Sequence, residues 1–187
     1  GKKAANESLG HRFMSNGQFE IHEANDYVEL CRKNFVIVDF TERKNLILEQ
    51  VVELASQEKA NLELDEALLN EVTSLVEWPK ALAGGFDSSF LKVPPEVLIS
   101  AMKEHQRYFH LVDSIGSLVP RFITISNIES LDSAQVIAGN ERVIRPRLAD
   151  AAFFFERDTR ISMEKKLTLL ESVVFQAQLG TYAEKSQ

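Results

Sequence analysis

The chain has 187 residues, of which 44% are hydrophobic and 26% are charged, a balance typical of one globular domain with a hydrophobic core. Its formal net charge of −7 excludes a surface that is basic overall, so any binding to a polyanion must use a local cluster of cations. The single cysteine, Cys31, excludes an intrachain disulfide and a multi-cysteine metal site.

The first quarter of the chain predicts a hairpin, a short helix and a strand. Residues 1–10 are polar and expected to be frayed, and "RFMSNGQFEI" predicts two short strands joined at Asn16-Gly17. A short helix is expected from Asn25, with Cys31 as a buried structural thiol rather than a nucleophile. "NFVIVDF" predicts a buried strand, because β-branched and aromatic residues dominate it.

Helical patterns dominate the middle of the chain. Thr41 is a candidate N-cap for a helix along "TERKNLILEQVVELASQEKA". A second helix is expected after Asp65 and must end before Pro79, since the residue preceding proline disfavours the α region. Gly84-Gly85 then predicts a turn, and Pro94-Pro95 a third helix start. The core-facing residues of that third helix are predicted to be Val97, Leu98, Ala101 and Met102.

The last third predicts a hairpin followed by helices. "RYFHLVD" and "LVPRFITISN" flank the loop Ser114 to Ser117 and predict an antiparallel strand pair. Asp132 or Ser133 is the expected cap of the next helix. Pro146 must kink that helix or split it in two, because proline loses a hydrogen bond and clashes with the preceding turn. The tail "ISMEKKLTLLESVVFQAQL" predicts a further amphipathic helix capped by Ser162.

This succession of elements predicts an α+β fold, a mixed domain with an antiparallel sheet flanked by helices. We expect a frayed segment over 1–10, the α+β domain over 11–160 and a C-terminal helix over 161–187. The chain opens without an initiator methionine, so we expect a piece of a longer protein. No stretch approaches the ~20 apolar residues of a membrane span and no signal peptide is evident, so we expect a cytoplasmic location and no membrane partner.

Side chains that carry catalysis or bind metals and nucleotides do not form a familiar motif here. His105 and His110 are five residues apart, and on one strand they would point to opposite faces, so we expect both to form hydrogen bonds at a sheet edge. Gly84-Gly85 lacks the downstream glycine, lysine and Ser or Thr of a phosphate-binding loop. No serine lies in a nucleophile elbow. We therefore predict no catalytic residue, no bound cofactor and no metal site in this chain.

The segment "GNERVIRPRLADAAFFFERD" joins three arginines to three phenylalanines. On a helix, Arg142 and Arg145 share a face, and their planar guanidinium groups suit phosphate oxygens. Arg147 is close to Asp150 and could pair with it. The alternative is that all three arginines are solvated or pair with Glu141 and Asp150. Further candidate cations, if the hairpin packs nearby, are Lys103, Arg107 and Arg121.

The phenylalanines Phe153 to Phe155 are about 100° apart on a helix and cannot all face one seam, but we expect at least two to be buried. Phe155 continues the apolar positions of Leu148, Ala151 and Ala152, and should be among the deepest. We expect Phe155→Ala to cost about 3–5 kcal/mol of stability. Arg142→Ala should cost less than about 1 kcal/mol. The hypothesis is that the phenylalanines anchor the helix while the arginines work at the surface.

Four motifs resemble, in order, the beta subunit of the bacterial heterotetrameric glycyl-tRNA synthetase. They are "GHRF", "LVEWPKALAGGFDSSFLKVPPEVLISAMKEHQRYFHLVD", "PRFITISNIES" and the arginine segment. The resemblance runs from about Gly10 to the end and covers an internal portion of a much longer subunit. It implies a fold similar in kind to the B3/B4 module of the phenylalanyl-tRNA synthetase beta chain, with an HD-type domain following and an anticodon-binding domain further on.

The resemblance also implies a function. In that family the alpha subunit holds the class II catalytic core that binds glycine and ATP, with magnesium, and the beta subunit supplies tRNA binding. The expected partners are the alpha subunit, a second beta subunit and glycine tRNA. This chain would be an accessory, tRNA-contacting and structural part of glycine–tRNA ligase without chemistry of its own. The implied tRNA contacts are Arg142, Arg145, Arg147, Lys103 and Arg107.

Two alternatives stay open. The chain could be a scaffold between domains or subunits, with the arginines paired to carboxylates at an internal interface. It could instead be an editing hydrolase, as the B3/B4 module of the phenylalanine enzyme is. Editing is the weaker alternative, because glycine is the smallest amino acid and size exclusion already rejects larger competitors. A shared fold does not transfer an activity.

Overall fold

Helices and strands are mixed along the computed structural model, which describes residues 5–160, 162–176 and 178–185. The strands are β1 (Glu7–Leu9), β2 (Gln18–Glu20), β3 (Asn61–Leu62), β4 (Lys80–Gly85), β5 (Phe109–Val112), β6 (Leu118–Ser126), β7 (Val174–Gln176) and β8 (Gly180–Thr181). The α-helices are α1 (Tyr27–Lys33), α2 (Phe40–Gln57), α3 (Glu66–Leu75), α4 (Pro95–Gln106), α5 (Ser133–Thr159), α6 (Met163–Leu169) and α7 (Tyr182–Lys185). Short 3₁₀ helices span Ala24–Asp26, Ser88–Lys92 and Leu170–Ser172.

The predicted α+β fold class is confirmed. Strands pair only in antiparallel fashion within the described residues, and helices cover the largest sheet on both faces. No helix in the described ranges is both long enough and apolar enough to cross a membrane. The similarity to the B3/B4 module stays a prediction.

A four-stranded sheet with the order β3-β5-β6-β4 forms the centre of the structure. Its middle pair, β5 and β6, is the hairpin that the sequence predicted. Asp113 closes the connecting loop, because its Oδ1 accepts hydrogen bonds from the backbone N–H groups of Ile115 and Ser117, both at 2.9 Å. Side chains alternate across a strand, so adjacent residues of β6 enter different cores: Phe122 points to one face and Ile123 to the other.

Helices α2 and α3 cover the Ile123 face of the sheet. The cluster beneath them consists of Ile47, Val51, Ala55, Ala60, Leu68, Leu69, Val72, Val76, Ala81, Phe109, Leu111 and Ile123. The predicted start of α3 is confirmed, since the Asp65 side chain accepts a hydrogen bond from the Leu68 N–H at 3.0 Å. The helix ends at Leu75, ahead of Pro79, as predicted.

Helices α4 and α5 cover the opposite face. The cluster there consists of Val93, Leu98, Ala101, Met102, Tyr108, Phe122, Ile144 and Leu148. The predicted start of α4 is confirmed, with Pro94 as the N-cap and Pro95 as its first residue. The rings of Tyr108 and Phe122 stack with centroids 4.4 Å apart and an interplanar angle of 7°. Burial of the Tyr108 ring raises the pKa of its hydroxyl to about 12.

The long helix α5 continues through Pro146 for 27 residues, so the predicted splitting is wrong. Asp132 caps it by accepting a hydrogen bond from the Gln135 N–H at 3.1 Å, which confirms one of the two predicted caps. Ile144 and Leu148 flank the proline and are fully buried. Pro146 itself is exposed, so water can satisfy the carbonyl that loses its helical partner. Packing on the buried side holds the helix together across the proline.

The predicted strand "NFVIVDF" is wrong, because this stretch contains no strand and its last residue already belongs to α2. Phe35 has a left-handed backbone with φ 61°, which breaks the extended run. The stretch instead connects α1 to α2. Asp39 caps α2 by accepting a hydrogen bond from the Glu42 N–H at 2.7 Å, so the predicted cap at Thr41 is wrong by two positions.

The predicted turn at Gly84-Gly85 is also wrong. Both glycines lie in β4, paired with Phe122 and Arg121 of β6. A Cβ on Gly84 would lie 2.6 Å from Phe122 Cζ. The glycine is therefore needed to admit a buried ring, not to turn the chain.

A small hairpin, β1 with β2, precedes the main sheet. Its second strand is where the sequence predicts one, but its first strand is Glu7–Leu9, within the segment expected to be frayed. The intervening residues form a wide turn that contains His11, which is 2% exposed. His11 Nε2 lies 2.6 Å from the Asn127 carbonyl oxygen just after β6. This bond ties the hairpin to the end of the sheet.

The C-terminal part differs from the single helix predicted over 161–187. Ser162 caps α6 by accepting a hydrogen bond from the Lys165 N–H, as predicted, but the helix ends at Leu169. The short strands β7 and β8 follow, and β-branched residues at 173 and 174 favour this extended backbone. Residues 161, 177, 186 and 187 of the predicted helix lie outside the described residues. No side chain described between 162 and 185 is buried.

Candidate nucleic-acid interface

The rotation of α5 about its axis is fixed by polar contacts near the arginines. Glu141 Oε1 accepts a hydrogen bond from the Gly85 N–H at 2.8 Å, which joins α5 to the end of β4. One residue earlier, Asn140 Oδ1 accepts a hydrogen bond from the Tyr108 hydroxyl at 2.6 Å. With Ile144 buried below them, the opposite side of the helix must face solvent.

Arg142 and Arg145 lie on that solvent side. Three residues separate them, so their side chains leave the helix about 60° apart and form one surface. Both are exposed, and no ion pair within the described residues joins either to a carboxylate. Of the alternative interpretation, the pairing with Glu141 is not present in the described residues, where that carboxylate accepts a hydrogen bond from the Gly85 N–H instead. We call Arg142 and Arg145 the arginine pair.

Arg147 stands apart from the arginine pair. It is five residues beyond Arg142, which places it about 140° around the helix. It is also exposed, and in the described part of the chain it forms no ion pair with Asp150. The structure therefore does not bring the three arginines together on one face.

An open cavity of about 570 Å³ lies beside Arg145. We call it the β4–α5 cavity, and it is lined by Gly85, Phe86, Asp87, Ser88, Phe90, Pro120, Arg121, Glu141 and Arg145. Arg121 of β6 and Arg145 of α5 both line this cavity. Two carboxylates share the cavity with these two cations, so the surface is mixed in charge rather than basic.

Asp87 is the N-cap residue of the 3₁₀ helix Ser88–Lys92. Hydrogen bonds from the backbone and the side chain of Ser89, and more weakly the charge of Arg145, lower the pKa of Asp87. It is therefore ionised at neutral pH. The sequence analysis missed Asp87 and the neighbouring Phe86 and Phe90. The signal was the alternation of aromatic and polar residues in "GGFDSSF", which was obscured once the glycines were assigned to a turn.

Lys103 and Arg107 lie at a different place. Lys103 pairs with Asp65 at the start of α3, and Arg107 Nε lies 2.8 Å from Glu71 Oε1. Lys103 lines a separate cavity of about 570 Å³ together with His110. These two cations tie α4 to α3, and their predicted role in tRNA contact stays a prediction.

The Asp65 carboxylate should make the stability of the chain depend on acidic pH. The hydrogen bond from Lys103, followed by that from the Leu68 N–H, lowers the pKa of Asp65. A lowered pKa in the folded state stabilises the fold above the unfolded pKa of about 3.9, and this contribution is lost as the pH falls through the folded value. We expect urea unfolding between pH 6 and pH 2 to show a shallower loss of stability in Asp65→Asn. Asp150→Asn changes an exposed carboxylate without an ion pair in the described residues, and should keep the parental dependence of stability on pH. Identical plots of stability against pH for the parent and both variants would contradict the role of Asp65.

The two histidines considered as metal ligands are far from forming a pair on one strand. His105 lies on α4, whereas His110 lies on β5, an inner strand, so the predicted sheet-edge position is wrong. His110 Nε2 is 3.2 Å from Glu63 Oε2. The described residues include no group of three or more His, Cys, Asp or Glu side chains arranged to hold a metal ion.

The three phenylalanines are less buried than predicted. Phe153 and Phe154 are 58% and 57% exposed, and Phe155 is only partly buried against the α4–α5 cluster. Phe153 is nine residues beyond Ile144 and so leaves the helix on the opposite, solvent side. The prediction that at least two are buried is wrong. An apolar groove of about 500 Å³ runs between α4 and α5, with Phe154 and Phe155 in its lining.

Comparison with known proteins identifies what the whole chain is similar to. Residues 1–187 match the family described as "Glycyl-tRNA synthetase beta subunit". Three similar curated proteins are each named "Glycine--tRNA ligase beta subunit". The chain is 50% identical over 186 residues to the one from Stutzerimonas stutzeri, 51% over 187 to that from Chromohalobacter salexigens, and 52% over 187 to that from Colwellia psychrerythraea. Each match covers 100% of this chain but 27% of the relative.

Proposed function

Because the chain belongs to the glycyl-tRNA synthetase beta-subunit family, we propose that it is a tRNA-contacting part of a glycine–tRNA ligase beta subunit. It contributes no reacting group. Glycine, ATP and magnesium are handled by an alpha subunit, and a second beta subunit completes the enzyme in the cytoplasm. The proposed tRNA contact is the arginine pair, Arg142 and Arg145.

The observation that carries this proposal is that both arginines are exposed and form no ion pair in the described residues, on a helix whose rotation is fixed; only the weaker charge interaction of Arg145 with Asp87 reaches either of them. A free guanidinium can form two parallel hydrogen bonds to a phosphate without first breaking an ion pair. Lys103 and Arg107 would each have to leave a carboxylate. Phosphate contacts position a nucleic acid without reading its sequence, which suits an accessory module.

Replacing both members of the arginine pair should weaken tRNA binding. In the full enzyme, we expect Arg142→Ala with Arg145→Ala to lower the affinity for glycine tRNA by about tenfold at moderate salt. The plot of log affinity against log salt should become shallower by up to about one unit per lost contact, because fewer counterions are released. Filter binding or fluorescence anisotropy across a salt series measures both quantities.

Arg147→Ala is the matched control for that experiment. It removes one positive charge from a different side of the same helix, so we expect a change in affinity and slope that is smaller than half the change in the double variant. An unchanged affinity and slope in the double variant would contradict the proposed contact. An equal effect per charge at Arg147 would show a general effect of charge instead of a defined surface.

The exposed phenylalanines favour a second function as a docking surface for protein. We propose that the far half of α5 packs against another part of the same beta-subunit chain. The rings of Phe153 and Phe154 are exposed to solvent beside an apolar groove. In addition, no described side chain between residues 162 and 185 is buried. The relatives are nearly four times as long as this chain, so most of their length is available to cover these rings. Covering them would recover the free energy of apolar burial.

Thiol labelling would test the docking surface in the full-length beta subunit. We expect a cysteine at position 154, introduced as Phe154→Cys, to react more slowly than one introduced as Ile115→Cys. Ile115 is 85% exposed in the β5–β6 loop and serves as an accessible reference. Peptide mass spectrometry reads the two sites separately from Cys31, which is buried. Equal labelling rates would show that nothing covers Phe154.

A further inference from the structure

We infer that the β4–α5 cavity holds one unpaired nucleotide of the bound tRNA, with a base that carries an exocyclic amino group. This deepens the proposed function and rests on it, since Arg145 belongs to both surfaces. The cavity volume of about 570 Å³ lies within the range of small-molecule sites, about 300–1,000 Å³. Proteins that recognise RNA by sequence commonly take up single unstacked bases in this way.

One cation of the cavity, Arg145, is suited to the phosphate of such a nucleotide. Arg145 forms no ion pair among the described residues, and its charge acts only weakly on Asp87 in the same cavity. Arg121 forms an ion pair with Glu58, with its Nε 3.0 Å from Glu58 Oε2. A Cβ on Gly85 would lie 2.8 Å from Arg121 Nη1, so the glycine allows the guanidinium to lie against β4 at the cavity wall. Arg121 precedes Phe122 on β6 and so leaves the sheet on the opposite, α2 face, where it is paired with Glu58. Arg145 is therefore the cation that is available to a phosphate in this cavity.

The aromatic lining is suited to the base. Phe86 and Phe90 both line the cavity, and both are partly buried against the α4–α5 cluster, which restrains their rings. Bases stack on aromatic side chains whatever their identity, because every base has a π face. The rings therefore account for binding of a base but not for its selection.

The two carboxylates supply the selection. Glu141 Oε1 is held by the Gly85 N–H, and Asp87 Oδ1 accepts a hydrogen bond from the Ser89 N–H at 2.8 Å. Each carboxyl group has a second oxygen that can accept a further hydrogen bond, as from the amino group of cytosine. A free phosphate would be repelled by these groups. A nucleotide can satisfy both kinds of group, because its phosphate can bind Arg145 while its amino group donates to the carboxylates.

Cytidine and uridine monophosphate form a matched pair of probes. They differ at position 4 of the base, where cytosine has an amino group and uracil a carbonyl. In the full-length beta subunit without the alpha subunit, which is proposed to hold ATP, we expect CMP to bind at least about fivefold more tightly than UMP. Glu141→Gln keeps an acceptor for the Gly85 N–H and should reduce this preference. Arg145→Ala should weaken both nucleotides by a similar factor.

Calorimetry or ligand-detected NMR gives outcomes that separate this inference from the proposed function. No binding of either nucleotide at about 10 mM would overturn the nucleotide site, and equal affinities would overturn the role of the carboxylates. Arg142 does not line the cavity, so Arg142→Ala should leave CMP binding unchanged while weakening tRNA binding. If substitution of the arginine pair leaves tRNA affinity unchanged while CMP still binds the parent protein, only the proposed phosphate contact is overturned. If CMP does not bind while substitution of the arginine pair still weakens tRNA binding, only the assignment of the cavity to a nucleotide is overturned.

Discussion

Phe122→Ala is expected to lower the free energy of unfolding by about 3–5 kcal/mol, the usual cost of truncating a buried phenylalanine. Phe122 has no exposed surface, and its ring stacks on Tyr108 at 4.4 Å between the sheet and helices α4 and α5. Its removal leaves a cavity that the adjoining strand cannot close, because the nearest residue of β4 is Gly84. Urea or thermal unfolding of the 187-residue chain measures the change.

Phe153→Ala removes the same side chain from an exposed position and should change stability by less than about 1 kcal/mol. Phe155 is partly buried, so Phe155→Ala should fall between the two and below the 3–5 kcal/mol expected from the sequence. Equal losses for Phe122→Ala and Phe153→Ala would mean that the end of α5 is buried in this chain. Arg142→Ala should stay within about 1 kcal/mol, since that side chain is exposed and unpaired in the described residues.

Gly84→Ala is expected to cost about 1–3 kcal/mol, although it adds a single methyl group. That methyl would lie 2.6 Å from Phe122 Cζ, inside any normal contact distance. The ring cannot retreat freely because Tyr108 is stacked on it. The strand and the ring must therefore shift, and the same unfolding measurement records the cost.

Gly139→Ala makes the same substitution where there is space. Gly139 lies inside α5, and a Cβ there would meet no atom within 4 Å. Alanine is the better helix former and reduces the entropy of the unfolded chain, so we expect a gain of about 0.4–1 kcal/mol. A Gly84→Ala variant as stable as the parent would show that the Phe122 ring adapts without strain.

The arginine-containing and phenylalanine-containing parts of α5 differ in role from what the sequence suggested. The segment was expected to use its phenylalanines as an anchor and its arginines as the working surface. Instead, Ile144 and Leu148 anchor the helix, directly beside the arginine pair. Phe153 and Phe154 are themselves exposed and form a second surface. The basic and apolar halves of the segment therefore suit two kinds of partner, nucleic acid and protein.

Signals that act over a few residues were sufficient to locate several elements from the sequence alone. Asp65 and Pro79 bracketed α3, Pro94-Pro95 marked the start of α4, and the loop Ser114 to Ser117 marked the turn of the β5–β6 hairpin. Each works through its own backbone: a carboxylate accepts from nearby N–H groups, and proline fixes its own φ. The family resemblance was also evident from the sequence, because it depends only on the order of motifs.

What the tertiary structure alone decided is which side of each element is covered and by what. Gly84 makes room for the ring of Phe122, which lies 38 positions later in the chain. Nothing in the local sequence shows this contact, and the dipeptide Gly84-Gly85 by itself is equally typical of a turn. The exposure of Phe153 depends on which side of α5 is covered by α4 and the sheet. The β4–α5 cavity gathers Asp87, Arg121 and Arg145 from three separate elements. Burial and convergence are properties of pairs of elements distant in sequence, and the periodicity within one element specifies that it has an apolar face without specifying its partner.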